Sequence, residues 1–236
     1  MSVASGVAVV IVAAGSGARL GAGAPKAFVA LDGVPLLTHA VSRAVACPLV
    51  TTVVVVAPAT HLEQAQACLA AGVRDVDGVR VAVVEGGRER GHSVMAGLAA
   101  IGADVDVVLV HDAARALAPP ALFARVIAAV RAGHPAVVPG VAVVDTIKQV
   151  DPEGTVTATP DRGGLRAIQT PQGFDRAVLE RAHAEAADQA TDDAGLVERL
   201  GIRVLVVPGE LLAHKITTPA DLGLAAWMLA TDGVVT

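Results

Sequence analysis

The stretch "VAAGSGARLGAGAPK", from Val12 to Lys26, directly follows an apolar run that begins at Val7. A continuous β-branched run of this kind predicts a buried strand. The glycine-rich loop then lies at the carboxyl end of that strand, which is where open α/β sheets bind their ligands. Small residues let backbone N–H groups surround a phosphate. The stretch therefore predicts an α/β protein with a phosphate-binding loop after its first strand.

Two familiar phosphate loops do not fit this stretch. The dinucleotide fingerprint needs a third glycine where this chain has Leu20, and an acidic residue after the second strand, which here ends in Ala57-Pro58. The P-loop needs a glycine before its lysine and a hydroxyl after it, whereas Lys26 lies between Pro25 and Ala27. The stretch is therefore neither a dinucleotide fingerprint nor a P-loop.

What remains is the pattern A-A-G-S-G-A-R-L followed by P-K. We expect the backbone of residues 13–17 to wrap a phosphate chain, with Arg19 and Lys26 placing two cations over it. A glycine-rich turn with two solvated cations would have the same sequence. The pattern resembles the signature loop of sugar-phosphate nucleotidyltransferases, which transfer the nucleotidyl group of a nucleoside triphosphate.

The rest of the chain alternates between strand and helix patterns, which predicts a single doubly wound, mostly parallel sheet with helices on both faces. We assign one domain to residues 1–236, because the chain shows no internal repeat and no linker. The last helix carries a capping box, with Thr218 as cap, Pro219 in the first turn and Asp221 closing the box. The predicted strands are 7–13, 50–58, 79–87, 105–115, 136–141 and 202–209, and the predicted helices 34–46, 60–72, 91–102, 119–133, 176–187, 191–201 and 219–230.

One segment breaks the alternation. Two strand-like pieces within 143–162 are joined by "DPEG", from Asp151 to Gly154, which is a turn pattern. A doubly wound domain does not need such an antiparallel hairpin. We therefore predict an inserted hairpin arm at about 141–168, which serves a partner subunit or acts as a lid.

Composition narrows the class of ligand. Eighteen basic residues against 23 acidic ones leave a net charge of −5, and aromatic residues make up 2% of the chain with no tyrosine. No basic stripe or stacking platform for nucleic acid is visible. No apolar run reaches the ~20 residues of a membrane span, and the N-terminal run lacks a basic leader. We expect a cytoplasmic protein that binds a small phosphate, with Cys47 and Cys68 as small buried residues.

Candidate site residues follow the predicted strands. Asp112 comes at the end of the buried run "VLVH", and Arg115 three residues later. A carboxylate there would hold Mg²⁺, which prefers one or two carboxylates plus phosphate oxygens, although a turn or cap residue would look alike. We interpret His111 as a satisfied core histidine. Lys215 is predicted to emerge at the end of a strand beside the phosphate site, where a solvated lysine is the alternative.

Weaker signals lie elsewhere in the chain. Gly86 and Gly87 follow the third strand, and Ser93 lies on the next helix. That arrangement suits the edge of a nucleobase, but an ordinary glycine turn before a helix would look identical. Thr191 and Asp192 are interpreted as N-cap residues. Further polar residues surround the hairpin: Asp145, Thr146, Lys148, Arg162, Thr170 and Gln172.

Taken in order, these stretches closely resemble the 2-C-methyl-D-erythritol 4-phosphate cytidylyltransferases, over almost the whole chain. The matching pieces are "VAAGSGARLGAGAPKAF", "GGRERGHSV", "VLVHDAARAL", "DTIKQV", "DRGGLRAIQTPQGF", "TDDAGLVERLG" and "HKITTPADL". Each piece alone is weak, and seven in the right order are specific.

The resemblance implies a Rossmann-like nucleotidyltransferase fold, a homodimer joined through the hairpin arm, and a role for each matching position. CTP would be held by Ala13, Ala14, Gly15, Gly17, Arg19, Lys26, Asp112 and Ala113, with Arg19 and Lys26 catalytic. Gly87 and Ser93 would read the cytosine, and Asp112 would bind Mg²⁺. The methylerythritol phosphate would contact Arg115, Thr146, Arg162 and Lys215, with Arg162 supplied by the other subunit.

Three positions depart from the family's usual residues. Val12 replaces a proline, Arg88 replaces a small acidic or polar residue, and an aromatic residue is missing around Arg166. Two alternatives stay open at this point. One is a cytidylyltransferase for another polyol phosphate, such as ribitol 5-phosphate. The other is a non-catalytic nucleotide-binding protein of the same fold.

Overall fold

The computed structural model describes residues 5–13, 25–72, 78–185 and 192–231 of the 236. Short 3₁₀ turns lie at Lys26–Phe28, Ala59–His61, Arg162–Gly164 and Leu211–Ala213. The strands are β1 Gly6–Val12, β2 Ala30–Leu31, β3 Val34–Pro35, β4 Thr52–Ala57, β5 Arg80–Glu85, β6 Val105–Asp112, β7 Ala136–Ala142, β8 Gln149–Val150, β9 Val156–Ala158, β10 Arg166–Ile168, β11 Gln172–Asp175 and β12 Leu205–Pro208. The helices are α1 Leu36–Val45, α2 Leu62–Gly72, α3 Arg90–Ala99, α4 Pro120–Arg131, α5 Arg176–Ala184, α6 Asp193–Arg199 and α7 Pro219–Thr231.

The central sheet confirms the predicted mostly parallel architecture. Its strands run in the order β10-β7-β11-β6-β1-β4-β5, and β12 pairs with β7 as well. The pairs β1–β4, β1–β6, β4–β5 and β7–β12 are parallel. The carboxyl ends of β1, β4, β5 and β6 therefore meet at one edge of the sheet, next to the loops that the sequence singles out.

Both faces of the sheet are covered, as the Val-rich strands predict. Val7, Val9 and Ile11 of β1 pack in one buried cluster with residues of α1 and α4. Ala8 and Val10 face a second cluster with residues of α3, α5 and α6. The alternation follows from the two-residue period of a strand. A third cluster joins the start of α1 to α7.

The segment after the hairpin was not predicted to belong to the sheet. β10 and β11 run antiparallel to β7, and β11 also pairs with β6. The runs are only three and four residues long, too short to show a clear period. The segment between β7 and β10 is therefore 143–165, and the predicted range 141–168 also includes the end of β7 and all of β10.

An antiparallel hairpin forms within this segment, while its role as an arm for a partner subunit stays a prediction. β8 and β9 pair antiparallel, with Val150 opposite Val156. In the connecting turn, Gly154 N–H donates to the carbonyl of Asp151 at 3.0 Å. Thr155 N–H donates to the Asp151 carboxylate at 2.7 Å.

Two smaller predictions are also confirmed. Cys47 and Cys68 are free and buried, and burial raises the pKa of both thiols. The capping box of α7 forms, since Asp221 N–H donates to the Thr218 hydroxyl at 3.3 Å and Thr218 N–H donates to the Asp221 carboxylate at 2.8 Å. Among the described residues, no helix is long and apolar enough to cross a membrane.

Candidate active site at the carboxyl edge of the sheet

Asp112 is the last residue of β6 and the centre of the candidate site. Lys215 Nζ lies 2.8 Å from one carboxylate oxygen, and an Arg90 guanidinium nitrogen lies 3.9 Å from the other. Burial alone would raise the pKa of Asp112, but Lys215, Arg90 and Arg115 outweigh it and hold this pKa below its usual range. The carboxylate, with 16% of its side chain exposed, is therefore ionised at neutral pH.

Lys215 reaches Asp112 from a different position than predicted. It does not end a strand but follows the 3₁₀ turn Leu211–Ala213, several residues after β12. Ile216 N–H donates to the carbonyl of Ala114 at 2.9 Å, which holds this segment against the chain that leaves β6. The lysine is 46% exposed, so its ammonium can contact both Asp112 and a bound anion.

Arg115 is tied to the backbone on both sides of the site. Its terminal nitrogens donate to the carbonyls of Ala213 at 2.7 Å and of Ile168 at 3.1 Å. Burial lowers its pKa, which the nearby Asp112 partly opposes. These bonds join the Lys215 segment to β10, while the predicted contact of Arg115 with substrate stays a prediction.

Arg90 is a member of this group that the sequence reading missed. It begins α3, and its guanidinium lies 2.7 Å from the carboxylate of Asp193, whose side chain is 1% exposed. The other Asp193 oxygen lies 3.0 Å from Nε2 of His183. Burial lowers the pKa of Arg90, but Asp193 and Asp112 raise it more. The only signal in the sequence was the position of Arg90 just after the glycine pair.

Gly87 and Ser93 contact each other at the start of α3, while their predicted contact with a cytosine stays a prediction. The buried Ser93 hydroxyl lies 3.4 Å from the carbonyl of Gly87 and 3.2 Å from that of Glu89. A Cβ on Gly87 would lie 2.3 Å from Cβ of His92, so only glycine fits this close approach. The Gly87 backbone is exposed and can contact a ligand, while Ser93 fixes the loop from below. Arg88 is exposed beside it.

His111 is a core histidine, as interpreted, but only one ring nitrogen has a partner. Nδ1 lies 3.0 Å from the Thr170 hydroxyl oxygen, which also accepts the backbone N–H of Asp112 at 3.0 Å. In the part of the chain that the structure describes, Nε2 has no hydrogen-bond partner. Burial lowers the pKa of His111 to about 4, so the ring is neutral at neutral pH. Thr170 thereby supports the backbone of Asp112.

The predicted nucleotide loop is described only at its two ends. Ala14, Gly15, Gly17 and Arg19 lie outside the described residues, as does Thr191. At the near end, Ala13 N–H donates to the carbonyl of Val56, and Ala113 N–H donates to that of Val12. Val12 pairs with Asp112 across β1 and β6, so the loop leaves the sheet beside the carboxylate. At the far end, Lys26 begins a 3₁₀ turn whose other two residues are buried.

Thr146 and Arg162 lie on the arm, and both are exposed. Arg162 donates to the carbonyl of Val144, and Lys148 donates to the Thr159 hydroxyl at 2.7 Å. Among the described residues, no hydrogen bond or ion pair connects Thr146 or Arg162 to Asp112 or its partners. The predicted acceptor site is therefore divided between the sheet edge and the arm.

Asp192 and Gln172 have structural partners. Asp192 caps α6, since its carboxylate accepts the N–H of Gly195 at 3.0 Å, which confirms the N-cap interpretation. Gln172 donates to the same carboxylate at 2.7 Å and accepts the N–H of Ala194 at 3.2 Å. Both side chains thus join β11 to α6. Arg166, one of the positions that differ from the family's usual residues, donates to the carbonyls of Gly163 and Leu165.

The described residues contain no cluster of three or more side chains able to hold a metal ion. Asp112 offers a single carboxylate, and Lys215 and Arg90 lie beside it. This set offers one metal ligand, the Asp112 carboxylate, and a single carboxylate can hold Mg²⁺ only where phosphates and water supply the other ligands. It does not resemble a site of soft ligands for zinc.

Comparison with known proteins identifies the same family. The model of the family described as 2-C-methyl-D-erythritol 4-phosphate cytidylyltransferase matches residues 7–231. A protein of that name from Streptomyces avermitilis is 51% identical over 229 residues, which cover 94% of this chain and 91% of the relative. A bifunctional enzyme of Clavibacter michiganensis is 53% identical over 224 residues, 95% of this chain but 54% of the relative. The chain thus spans about half the length of that enzyme.

Solved structures agree with this result. A crystal structure of 2-C-methyl-D-erythritol 4-phosphate cytidylyltransferase from Thermus thermophilus superposes with a TM-score of 0.74 at 35% identity. The match covers 95% of this chain and 99% of the other.

Proposed function

The chain belongs to the 2-C-methyl-D-erythritol 4-phosphate cytidylyltransferase family, and on that premise we propose that it transfers CMP from CTP to 2-C-methyl-D-erythritol 4-phosphate. The products are 4-diphosphocytidyl-2-C-methyl-D-erythritol and pyrophosphate, in non-mevalonate isoprenoid synthesis. The observation that carries this proposal is the Asp112–Lys215 pair beside the start of the glycine-rich loop. The reaction takes place in the cytoplasm, where Cys47 and Cys68 stay reduced.

The chemistry is an in-line displacement at phosphorus. An oxygen of the acceptor phosphate attacks the α-phosphorus of CTP, the bond from that phosphorus to the bridging oxygen breaks, and pyrophosphate leaves with the electron pair. Both reactants are anions, so catalysis consists mainly of positioning and of stabilising charge. No protein base is needed, because the attacking phosphate is already ionised.

Cations of this chain supply that stabilisation. Lys26, at the far end of the glycine-rich loop, and Arg19 within it neutralise charge that develops on the α-phosphate and the leaving group. Lys215 contacts the acceptor phosphate, while its pairing with Asp112 keeps the ammonium at the sheet edge. Gly87 presents its exposed backbone to the cytosine.

Asp112 would also hold Mg²⁺, with the remaining ligands coming from CTP phosphates and water. When bound, the ion supplies further positive charge next to the phosphates. The depressed pKa of Asp112 keeps the carboxylate ionised and able to bind a cation across the neutral pH range.

The arm joins two copies of the chain. Val144 is 78% exposed, and the cross-strand partners Val150 and Val156 are each 53% exposed. Exposed apolar side chains on a two-stranded hairpin are typical of a surface that another chain covers. Arg162 at the base of the arm then enters the acceptor site of the partner subunit, which completes a site that one subunit leaves divided.

Pyrophosphate release tests the proposal directly. The protein is incubated with Mg²⁺ and each of the four nucleoside triphosphates, with either methylerythritol 4-phosphate or ribitol 5-phosphate as acceptor. We expect release only with CTP and methylerythritol phosphate. Release with ribitol phosphate would move the enzyme to another pathway, and CTP binding without any release would identify a non-catalytic nucleotide-binding protein.

A further inference from the structure

The side chain of Gln169 forms two hydrogen bonds with the backbone of a single residue. Its Nε2 donates to the carbonyl of Glu210 at 2.8 Å, and its Oε1 accepts the N–H of Glu210 at 2.9 Å. The side chain is buried, and Gln169 N–H donates to the carbonyl of Pro139 in β7 at 2.8 Å. The amide therefore joins the sheet to the chain just after β12, in the manner of an additional strand residue.

The neighbouring residue leaves room for this contact. A Cβ on Gly209 would lie 2.4 Å from Oε1 of Gln169, far inside any normal contact. Any larger residue at 209 would displace the amide. The same turn is also held by Arg125, which donates to the carbonyl of Pro208 and to the carboxylate of Glu210.

Glu210 transmits this restraint toward Lys215. Its carbonyl also accepts the N–H of Ala213 at 3.0 Å, which closes the 3₁₀ turn Leu211–Ala213. The carbonyl of Ala213 accepts from Arg115, and Lys215 follows two residues later. The double hydrogen bond from Gln169 therefore fixes the Glu210 backbone, where the segment that carries Lys215 begins.

We propose that Gln169 is a positioning residue for Lys215: its double hydrogen bond to Glu210 sets the turn that places the Lys215 ammonium on the Asp112 carboxylate. The catalytic significance rests on the proposed function, because Lys215 is taken there to contact the acceptor phosphate. The structural relation between Gln169 and Lys215 does not depend on that function. Two experiments therefore test the proposal: one measures the position of Lys215 without any turnover, and the other measures turnover.

The first experiment measures the reactivity of lysine side chains. The chain has three lysines, Lys26, Lys148 and Lys215, so acetylation at limiting reagent followed by peptide mass spectrometry gives each rate, with Lys148 on the arm as internal reference. In Gln169→Leu we expect the rate at Lys215 relative to Lys148 to rise about fivefold, the scale of losing one or two buried hydrogen bonds.

Gln172→Leu is the matched control. Gln172 is likewise buried and also makes two hydrogen bonds, but to α6. It should lower the thermal midpoint as Gln169→Leu does, without changing the relative rate at Lys215. If Gln169→Leu does not fold, Gln169→Met is closer in shape to glutamine, loses both hydrogen bonds and should give the same increase. An unchanged rate at Lys215 in a folded Gln169 variant would overturn the proposal.

The second experiment measures turnover well below the thermal midpoint of each variant. Gln169→Leu should lower kcat about tenfold with KM for CTP unchanged, because misplacing a group costs rate and the nucleotide loop is untouched. In a Lys215→Ala background the same change should have no further effect. An equal loss of kcat in both backgrounds would show that Gln169 acts through another residue. Raised labelling with an inactive wild-type enzyme would remove the proposed function and leave the positioning role.

Discussion

The sheet edge around Asp112 and the hairpin arm differ in how their side chains are held. Ion pairs join Arg90 and Lys215 to Asp112. Asp193 of α6 also pairs with Arg90, and Arg115 donates to the carbonyl of Ala213 in the segment that carries Lys215. Thr146 and Arg162 are exposed on the arm, one before and one after its β8–β9 hairpin, and among the described residues neither has a hydrogen bond or ion pair to that group. The two regions nevertheless carry the two halves of one proposed acceptor site.

This difference is consistent with the proposed division of the acceptor site between two subunits. Ion pairs at the sheet edge fix the directions of its charged side chains, and fixed charges of this kind are the condition for efficient electrostatic stabilisation. Each of the following experiments changes a residue in one region and measures the effect on activity or stability.

The largest expected effect comes from mixing two inactive variants. Lys215→Ala and Arg162→Ala should each lower kcat/KM by at least ~100-fold, because each removes a cation for the acceptor phosphate. Random re-association after mixing puts one intact site into half of the dimers, so activity should return to about a quarter of wild type. Pyrophosphate release before and after mixing measures this recovery.

The control is a mixture of Lys26→Ala and Lys215→Ala. In the proposed site both residues come from the same subunit, so no dimer would contain an intact site and no activity should return. If the Lys215→Ala and Arg162→Ala mixture also stayed inactive, the arm would not deliver Arg162 across a dimer.

Lys26→Ala alone should lower kcat by at least ~100-fold, the scale of losing one preorganised donor. KM for methylerythritol phosphate should change little, since Lys26 lies at the end of the nucleotide loop. Steady-state kinetics with both substrates varied gives the two constants. A near-normal kcat would exclude Lys26 from charge stabilisation.

Asp193→Asn should lower the free energy of unfolding by about 2 kcal/mol. The buried carboxylate pairs with Arg90 and lies beside His183, and losing its charge leaves these donors poorly satisfied. Urea denaturation of the whole chain measures the change.

Asp104→Asn is the matched control, because Asp104 forms an equally short pair with Arg80 that is exposed on both sides. It should have little effect. Equal effects of the two substitutions would show that the Arg90 group does not restrain the sheet edge.

Asp221→Asn should have a smaller effect than Asp193→Asn, roughly 0.5 kcal/mol at pH 7. Hydrogen bonds from Thr217 and Thr218 hold the pKa of Asp221 well below its usual range. A depressed folded-state pKa stabilises the fold above the unfolded pKa of about 3.9. The difference between wild type and variant should therefore be present at pH 7 and shrink as the pH falls below about 4.

Asp151→Asn in the arm's turn should leave the unfolding midpoint unchanged. It also accepts a backbone N–H, but the arm is not packed in the core. A drop as large as that of Asp221→Asn would mean that the arm folds cooperatively with the sheet.

Much of the fold could be predicted from local patterns. The β-branched runs and the helical spacing of apolar residues placed six of the sheet strands and all seven helices within a few residues. The errors lie where runs are short: Val34 and Pro35 form β3 rather than the start of a helix, and β10 and β11 were not predicted. Short strands owe their structure to pairing with a neighbour, which leaves little trace in their own residues.

Part of the candidate site could also be predicted from local patterns. Asp112, Lys215, Gly87 and Ser93 were named from motif and position, and the structure joins them in two pairs. Arg90, Asp193 and His183 were not predicted as a group, because an ion pair between helices depends on how those helices pack. The prediction that Lys215 ends a strand was also wrong, because Lys215 follows a 3₁₀ turn whose position depends on contacts with residues far away in the sequence.

By itself, the sequence determined the α/β class, the loop after the first strand, the carboxylate at the end of β6 and the hairpin, because each depends on residues adjacent in the chain. Only the tertiary structure decided which cations meet Asp112 and how Gln169 reaches Glu210. Those contacts join residues far apart in sequence. Their geometry follows from strand register and helix packing, which no local period encodes.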